Sequence, residues 1–198
     1  MLWKLSVSGN RFVGLRPHDL TYFGRNFIGE PLKTPWKPPP VELLRLSKRL
    51  PDFVHWAGTV PVVSQKALDA LHPLLRSFVQ VLPFHDLKGK KYYAVNVLAV
   101  VDGLVDQAQS NISRAASDAS IIEIHRTVFR QSVPSGLPPM FKLAEGWGGI
   151  FVSSKLAELA VENQLTGVQF LAPTQDTIRL ALGKEPLNAY PGTPPIST

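Results

Sequence analysis

The chain has 198 residues, of which 44% are hydrophobic and 18% charged, with a formal net charge of +6 and no cysteine. That composition excludes a disordered chain, a disulfide scaffold, thiolate metal sites and a cysteine nucleophile. The length suits one domain with a sizeable core, or one domain with ordered arms.

The start, MLWKLSVSGN, has neither the apolar run nor the small-residue cleavage site of a signal peptide. The longest apolar stretch, Val95 to Val101 around Asn96, is far short of the ~20 residues of a membrane helix. A soluble cytoplasmic protein is expected. The charge is lopsided: residues 1–99 carry 14 Lys+Arg against 6 Asp+Glu (net +8), and residues 100–198 carry 7 against 9 (net −2). A basic half points to an acidic partner surface or to nucleic acid, or simply to a solvated face.

In chain order, Leu2, Leu5 and Val7 read as a first strand, Gly9-Asn10 as a turn, and Arg11-Phe12-Val13 as a returning strand. Glu30 to Pro40, EPLKTPWKPPP, holds five prolines and can be neither helix nor central strand. An extended or polyproline II arm pinned by Trp36 is expected. Val41 to Leu50 reads as a short helix ended by Pro51. Val60–Val63 is a strand, and Ser64 caps a helix carrying Leu68, Leu71, Leu74, Leu75 and Phe78, with a kink or an end near His72 where Pro73 intervenes.

Phe78 to Phe84 and Lys91 to Val101 form the best hairpin signal, turning at Gly89. Both faces of the second strand are apolar, so it should be central, and a buried Asn96 would need hydrogen-bond partners. Asp102 to Ser120 is small and polar with a helical turn. Ile121 to Phe129 alternates as a strand, and Met140 to Leu143 is a short one.

Gly146-Trp147-Gly148-Gly149 raises the question of a phosphate loop. Such a loop follows a strand and opens a helix directly. Here the glycines precede the strand Ile150–Val152, and the helix starts after Ser153-Ser154, so the motif reads as a turn. The helix buries Leu156, Leu159 and Ala160, Gly167 follows it, and Val168 and Phe170 begin a last strand. The end, Gly183 to Thr198, reads as an extended or disordered tail.

The fold class is therefore α+β: a mostly antiparallel or mixed sheet with a few packed helices, a proline-rich arm and an extended tail. A single domain spans 1–198, with an N-terminal segment at 1–50 (arm at 30–40), a core at 51–182 and the tail at 183–198.

Chemistry is sparse. His18, His55, His72, His85 and His125 are scattered with no metal-ligand spacing. Asp102 and Asp106 could share a helix face as an acid–base pair, but a cap and a solvated carboxylate explain them more plainly. No serine, histidine and acid stand in a context that supports nucleophilic catalysis. No enzyme activity, metal or cofactor is expected. Lys88, Lys90 and Lys91 beside Tyr92 and Tyr93 raise single-stranded nucleic acid as an alternative.

Three blocks together resemble a known family: VPVVSQKALDALHPLL (60–75), LPFHDLKGKKYYAVNVLAVVDGLVDQAQS (82–110) and MFKLAEGWGGIFVSSKLAELAVENQLTGVQFLAP (140–173). They resemble the bacterial polymorphic-toxin immunity proteins of immunity family eleven. The resemblance runs through Val62-Val63-Ser64, Tyr92, Tyr93, Asn96, Val97, Asp102, Asp106, Ser110, Phe141, Ile150-Phe151-Val152-Ser153 and Thr166-Gly167-Val168-Gln169-Phe170. It covers about residues 50–173, and Val105 stands where the family usually has leucine. It implies a non-enzymatic protein that binds and blocks a toxin encoded beside it. The basic charge points to a neutral or acidic toxin. Trp36, Lys88, Lys90, Lys91 and Trp147 are the candidate partner-binding residues, because interfaces favour large aromatic and cationic groups.

Overall fold

The computed structural model describes residues 1–7, 14–18, 27–33, 35–44, 49–57, 60–146 and 149–174. The chain opens with strand β1 (Leu2–Val7), which lies between two strands from the far end of the sequence, β12 (Ile150–Ser153) and β13 (Val168–Leu171). Both pairings are antiparallel, with Trp3 opposite Val152 and Leu5 opposite Phe170. β11 (Met140–Leu143) and β8 (Val100–Val101) complete a five-stranded sheet in the order β13-β1-β12-β11-β8, with β8 parallel to β11.

A second sheet, ordered β4-β5-β7-β6, is antiparallel throughout. It comprises β4 (Phe53–Ala57), β5 (Val60–Ser64), β6 (Val79–Pro83) and β7 (Tyr92–Val97). Helix α1 (Gln65–Leu75) follows β5 directly, and α2 (Ser154–Glu162) follows β12. Ser64 and Ser153 cap them, each side chain accepting from the backbone N–H three residues on. The fold is α+β with mostly antiparallel sheets, as its pattern implied.

One core joins the two sheets through the helices. Trp3, Met140, Ile150, Val152 and Phe170 meet Val63, Val79, Val95 and Val97 around Leu71 and Leu75 of α1 and Leu156, Ala157 and Ala160 of α2. Ala157, rather than Leu159, takes the inner position on α2, and Leu159 lies at the margin. Each large apolar side chain so buried contributes roughly 1.5–3 kcal/mol. The other face of the first sheet, through Phe141, Leu143 and Phe151, packs under a two-stranded ribbon of β9 (Asn111–Arg114) and β10 (Ile121–Arg126).

The other face of the second sheet is covered by the proline-rich arm. Phe27, Leu32 and Trp36 pack with Val54, Trp56, Leu82 and Ala94. Prolines lack the N–H that a ladder needs, so side chains of the sheets grip the arm's carbonyls instead. Lys142 Nζ donates to Phe27 O (2.6 Å), Asn96 Nδ2 to Glu30 O (2.8 Å) and His85 Nε2 to Pro39 O (2.9 Å). Gln80 bonds Leu32 twice, accepting from its N–H and donating to its C=O. The arm is thus a strap, and the Nδ2 of buried Asn96 donates to both Glu30 O and Gln80 Oε1.

The structure corrects four local readings. Val41–Leu44 is not helical but strand β3, antiparallel to β2 (Gly14–Pro17). The triple proline delivers the chain already extended, and a distant earlier strand captures it, Gly14 opposite Leu44 and Pro17 opposite Val41. α1 continues past His72 to Leu75 with Pro73 inside it. Pro73 and Asp69 lie on the exposed side, so the carbonyl deprived of its N–H faces water, while buried Leu71 and Leu75 hold the last turn.

The apolar run 91–101 is two strands. After Val97 the chain leaves the second sheet, and Val100–Val101 join the first, with Ala99 O and Val101 O accepting from Lys142 N and Ala144 N. Residues 102–120 hold a turn at 107–109 followed by β9, because Ile112 faces inward to pack against the core under the ribbon. The turn read at Gly9-Asn10, the strand at 11–13 and the tail at 183–198 lie outside the described residues.

Candidate functional site

The β6–β7 hairpin closes on Lys88-Gly89. Leu87 and Lys90 exchange both backbone hydrogen bonds, and φ is +49° at Lys88 and +76° at Gly89. Positive φ at both central residues is the type I′ turn that suits the twist of a hairpin. Lys88, Lys90 and Lys91 are exposed there, while Leu87 is buried and holds the tip down on the core.

The strap runs alongside. Trp36 Nε1 donates to Pro83 O, and Pro39 O accepts from His85, so Lys37 between them is held at the flank of the same hairpin. Trp36 is half-buried, its ring edge-on to Phe27 at 6.0 Å. Trp36 and Lys37 thus lie beside the hairpin stem at Pro83 and His85, Lys88, Lys90 and Lys91 are exposed towards its tip, and Lys33 is exposed on the same strap. Asp86 is the exposed acid of the hairpin. Trp147 and Gly148 lie outside the described residues. Gly146 and Gly149 around them have φ of +151° and +92°, in keeping with a turn before β12.

The tyrosines beside the lysines are committed elsewhere. Tyr92 is buried and donates to Pro51 O (2.7 Å); burial, then the charge of Asp52, pushes its pKa up to about 12. Tyr93 donates to Gln65 Oε1. Buried Tyr92 offers no ring face for base stacking, and Tyr93 packs in part against the core.

Asp52 and its partners form a joint between distant elements. Asp52, which sequence reading passed over, accepts Ser64 Oγ on one oxygen (2.8 Å) and Thr166 N and Oγ1 on the other (2.9 Å each). Ser64 Oγ in turn caps α1, and Lys66 Nζ stands 3.9 Å from Asp52 Oδ2. Gly167 follows with φ +81°, where a Cβ would overlap Phe53 O and lie 2.6 Å from Pro51 Cβ. Asp106 Oδ1 accepts from Ala108 N and Gln109 N (3.1 Å each), capping the turn, and Ser110 Oγ accepts from Val128 N (2.9 Å). Asp102 accepts from Gly103 N and is exposed. Both carboxylates are engaged with backbone N–H groups of their own turns.

Lys142 is 8% exposed, and burial pulls its pKa down to about 8. Its Nζ bonds Phe27 O, which fixes the start of the strap. Among the described residues, no three His, Cys, Asp or Glu side chains gather where they could hold a metal ion, and no helix is long and apolar enough to cross a membrane.

One catalytic-looking arrangement was not legible in the sequence. Ser113 Oγ lies 2.7 Å from His125 Nε2, and Glu123 Oε1 lies 3.7 Å from His125 Nδ1. Glu123 and His125 stand two apart on one strand, a spacing too common to signal anything until the pairing with Ser113 is known. The sequence matches no family model and no curated protein.

Proposed function

We propose that this chain is an immunity protein that binds a bacterial toxin encoded nearby and blocks it. The observation that carries the reading is the shared basic region of the strap and the β6–β7 hairpin. Lys37 is exposed on the strap next to half-buried Trp36, Lys33 is exposed further along it, and Lys88, Lys90 and Lys91 are exposed at the hairpin tip. Exposed cations together with a half-buried tryptophan are the chemistry that suits an acidic protein surface, since charge complementarity speeds encounter and a tryptophan can anchor it. The toxin is therefore neutral or acidic on the surface it presents.

The resemblance to immunity family eleven supports the same reading. Its motif residues Ser64, Asp106, Ser110, Thr166 and Gly167 are engaged in caps and turns, as suits a family defined by its scaffold rather than by an active site. Nucleic acid is the weaker occupant of the basic region, because Tyr92 and Tyr93 are turned to structural bonds.

The test is co-purification with the product of the neighbouring gene. A stoichiometric complex in which the toxin's activity is lost is expected. No complex at micromolar concentration would remove the reading.

A further inference from the structure

The β9–β10 ribbon departs twice from regular pairing, between Ile121 and Glu123 and between Ile124 and Arg126. In the second irregularity Ile124 pairs with Ile112 and Arg126 with Asn111, so His125 is the extra residue. A bulge re-aims the side chain it carries. Ile124 remains in the core at 1% exposed, and the ring of His125 reaches Ser113 on the neighbouring strand.

The hydrogen bond has a direction set by chemistry. A serine hydroxyl 2.7 Å from Nε2 donates to it when Nδ1 carries the imidazole proton. Glu123 Oε1, 3.7 Å from Nδ1, favours that tautomer. At that distance the glutamate acts as a charge rather than a hydrogen-bond partner. Nucleophile, base and orienting acid stand in the order that activates serine on unrelated folds. The imidazole is mostly covered, with 15% of its side chain exposed, and the glutamate is 54% exposed.

We propose that Ser113 is an activated nucleophile, with His125 as its base and Glu123 as a positioning residue, open to small acyl or phosphonyl electrophiles. The reaction assigned is stoichiometric modification of the serine. With a fluorophosphonate, the Oγ–P bond forms as the P–F bond breaks, fluoride leaves, and the hydroxyl proton passes to His125 Nε2 and on to solvent. With an activated ester, the Oγ–acyl bond forms and the alcohol departs with that proton. This reactivity is independent of toxin binding, and its outcome leaves that reading where it stands.

The experiment is labelling of the intact chain with a biotinylated fluorophosphonate, with the adduct located by peptide mass spectrometry. One adduct at Ser113 is expected, absent in Ser113→Ala and slowed roughly 10²-fold in His125→Gln. Glu123→Gln should slow labelling several-fold at low ionic strength and less in high salt, a difference that a merely structural role would not produce. Circular dichroism confirms that each variant is folded; if His125→Gln is not, the salt dependence in Glu123→Gln decides. Labelling of Ser113 no faster than that of exposed Ser132 or Ser135, or equally fast in folded His125→Gln, would overturn the proposal.

Discussion

Asp52 and Thr166 stand 114 positions apart and bind each other in both directions. Thr166 Oγ1 accepts from Asp52 N (3.0 Å) and donates to Asp52 Oδ2 (2.9 Å), while Thr166 N donates to the same oxygen. Phe53 N completes the joint on Thr166 O (2.9 Å). The entry to the second sheet is thereby tied to the entry to β13 of the first, and the same carboxylate steadies the cap of α1 through Ser64.

Removing this carboxylate should therefore cost more than one hydrogen bond. Asp52→Ala strands Thr166 N and Ser64 Oγ, and bonds to a charged group contribute about 1.5–3 kcal/mol each without adding fully. A loss of about 2–4 kcal/mol is expected in urea unfolding, with Thr166→Val costing about 1–2 kcal/mol. The double variant should lose less than the sum. Strict additivity would mean that the two residues do not act as a unit.

Two glycines with similar backbone angles should respond differently to alanine. Gly167 and Gly149 have φ of +81° and +92°, so each substitution carries the left-handed cost of about 1–2 kcal/mol. At Gly167 the added Cβ meets backbone and a proline ring, whereas at Gly149 it meets Lys4 Cε at 3.0 Å, the far end of a flexible side chain. Gly167→Ala should lower the melting temperature clearly more than Gly149→Ala. Equal shifts would show that the turn at Gly167 moves aside.

The hairpin tip can be improved. Lys88 holds φ at +49°, a region that asparagine tolerates far better than lysine. Lys88→Asn, giving Asn-Gly, should raise stability by about 0.5–1 kcal/mol, measured by thermal unfolding. A decrease would show that the lysine side chain stabilises the turn by a contact worth more than the strain.

Lys142 makes stability depend on pH on the alkaline side. Its folded pKa of about 8 lies below the ordinary 10.5, so burial disfavours the charged form. Below pH 8 both folded and unfolded chains carry the proton and the full cost is present. Between pH 8 and 10.5 the unfolded chain holds a proton that the folded one has lost, so stability rises with pH. Relative to Lys142→Met, the protein should gain roughly 3 kcal/mol across that window. Tyr92 acts oppositely: its folded pKa of about 12 exceeds the ordinary 10.0, so its contribution is lost as pH rises from 10 to 12. A difference between the protein and Lys142→Met that stays flat from pH 7 to 10.5 would contradict the assignment.

Local signals predicted local structure well. Ser64 and Ser153 announced their helices, Gly89 its turn, and the turn–strand–helix–strand order of 145–170 was readable from glycines, serines and apolar spacing. What stayed hidden depends on distant partners. The strand fate of Val41–Leu44 is decided by Gly14–Pro17, and the split of 91–101 by the vacancy beside β11 that Val100 and Val101 fill. The same holds for function: the strap's approach to the hairpin rests on Trp36 and Pro83, and the Ser113–His125 pair on a bulge in β10. Periodicity within one segment contains no information about which segment lies next to it.

The central claim is that the basic strap–hairpin region captures an acidic or neutral toxin. The most direct measurement is the association rate with the product of the neighbouring gene, followed against ionic strength. It compares the protein with a folded Lys37→Glu, Lys88→Glu, Lys90→Glu, Lys91→Glu variant. The account predicts a stoichiometric complex with loss of toxin activity, a rate that falls as salt is added, and at least about a tenfold slower association in the variant. A toxin that does not bind, or one that binds both proteins at the same salt-independent rate, would contradict it.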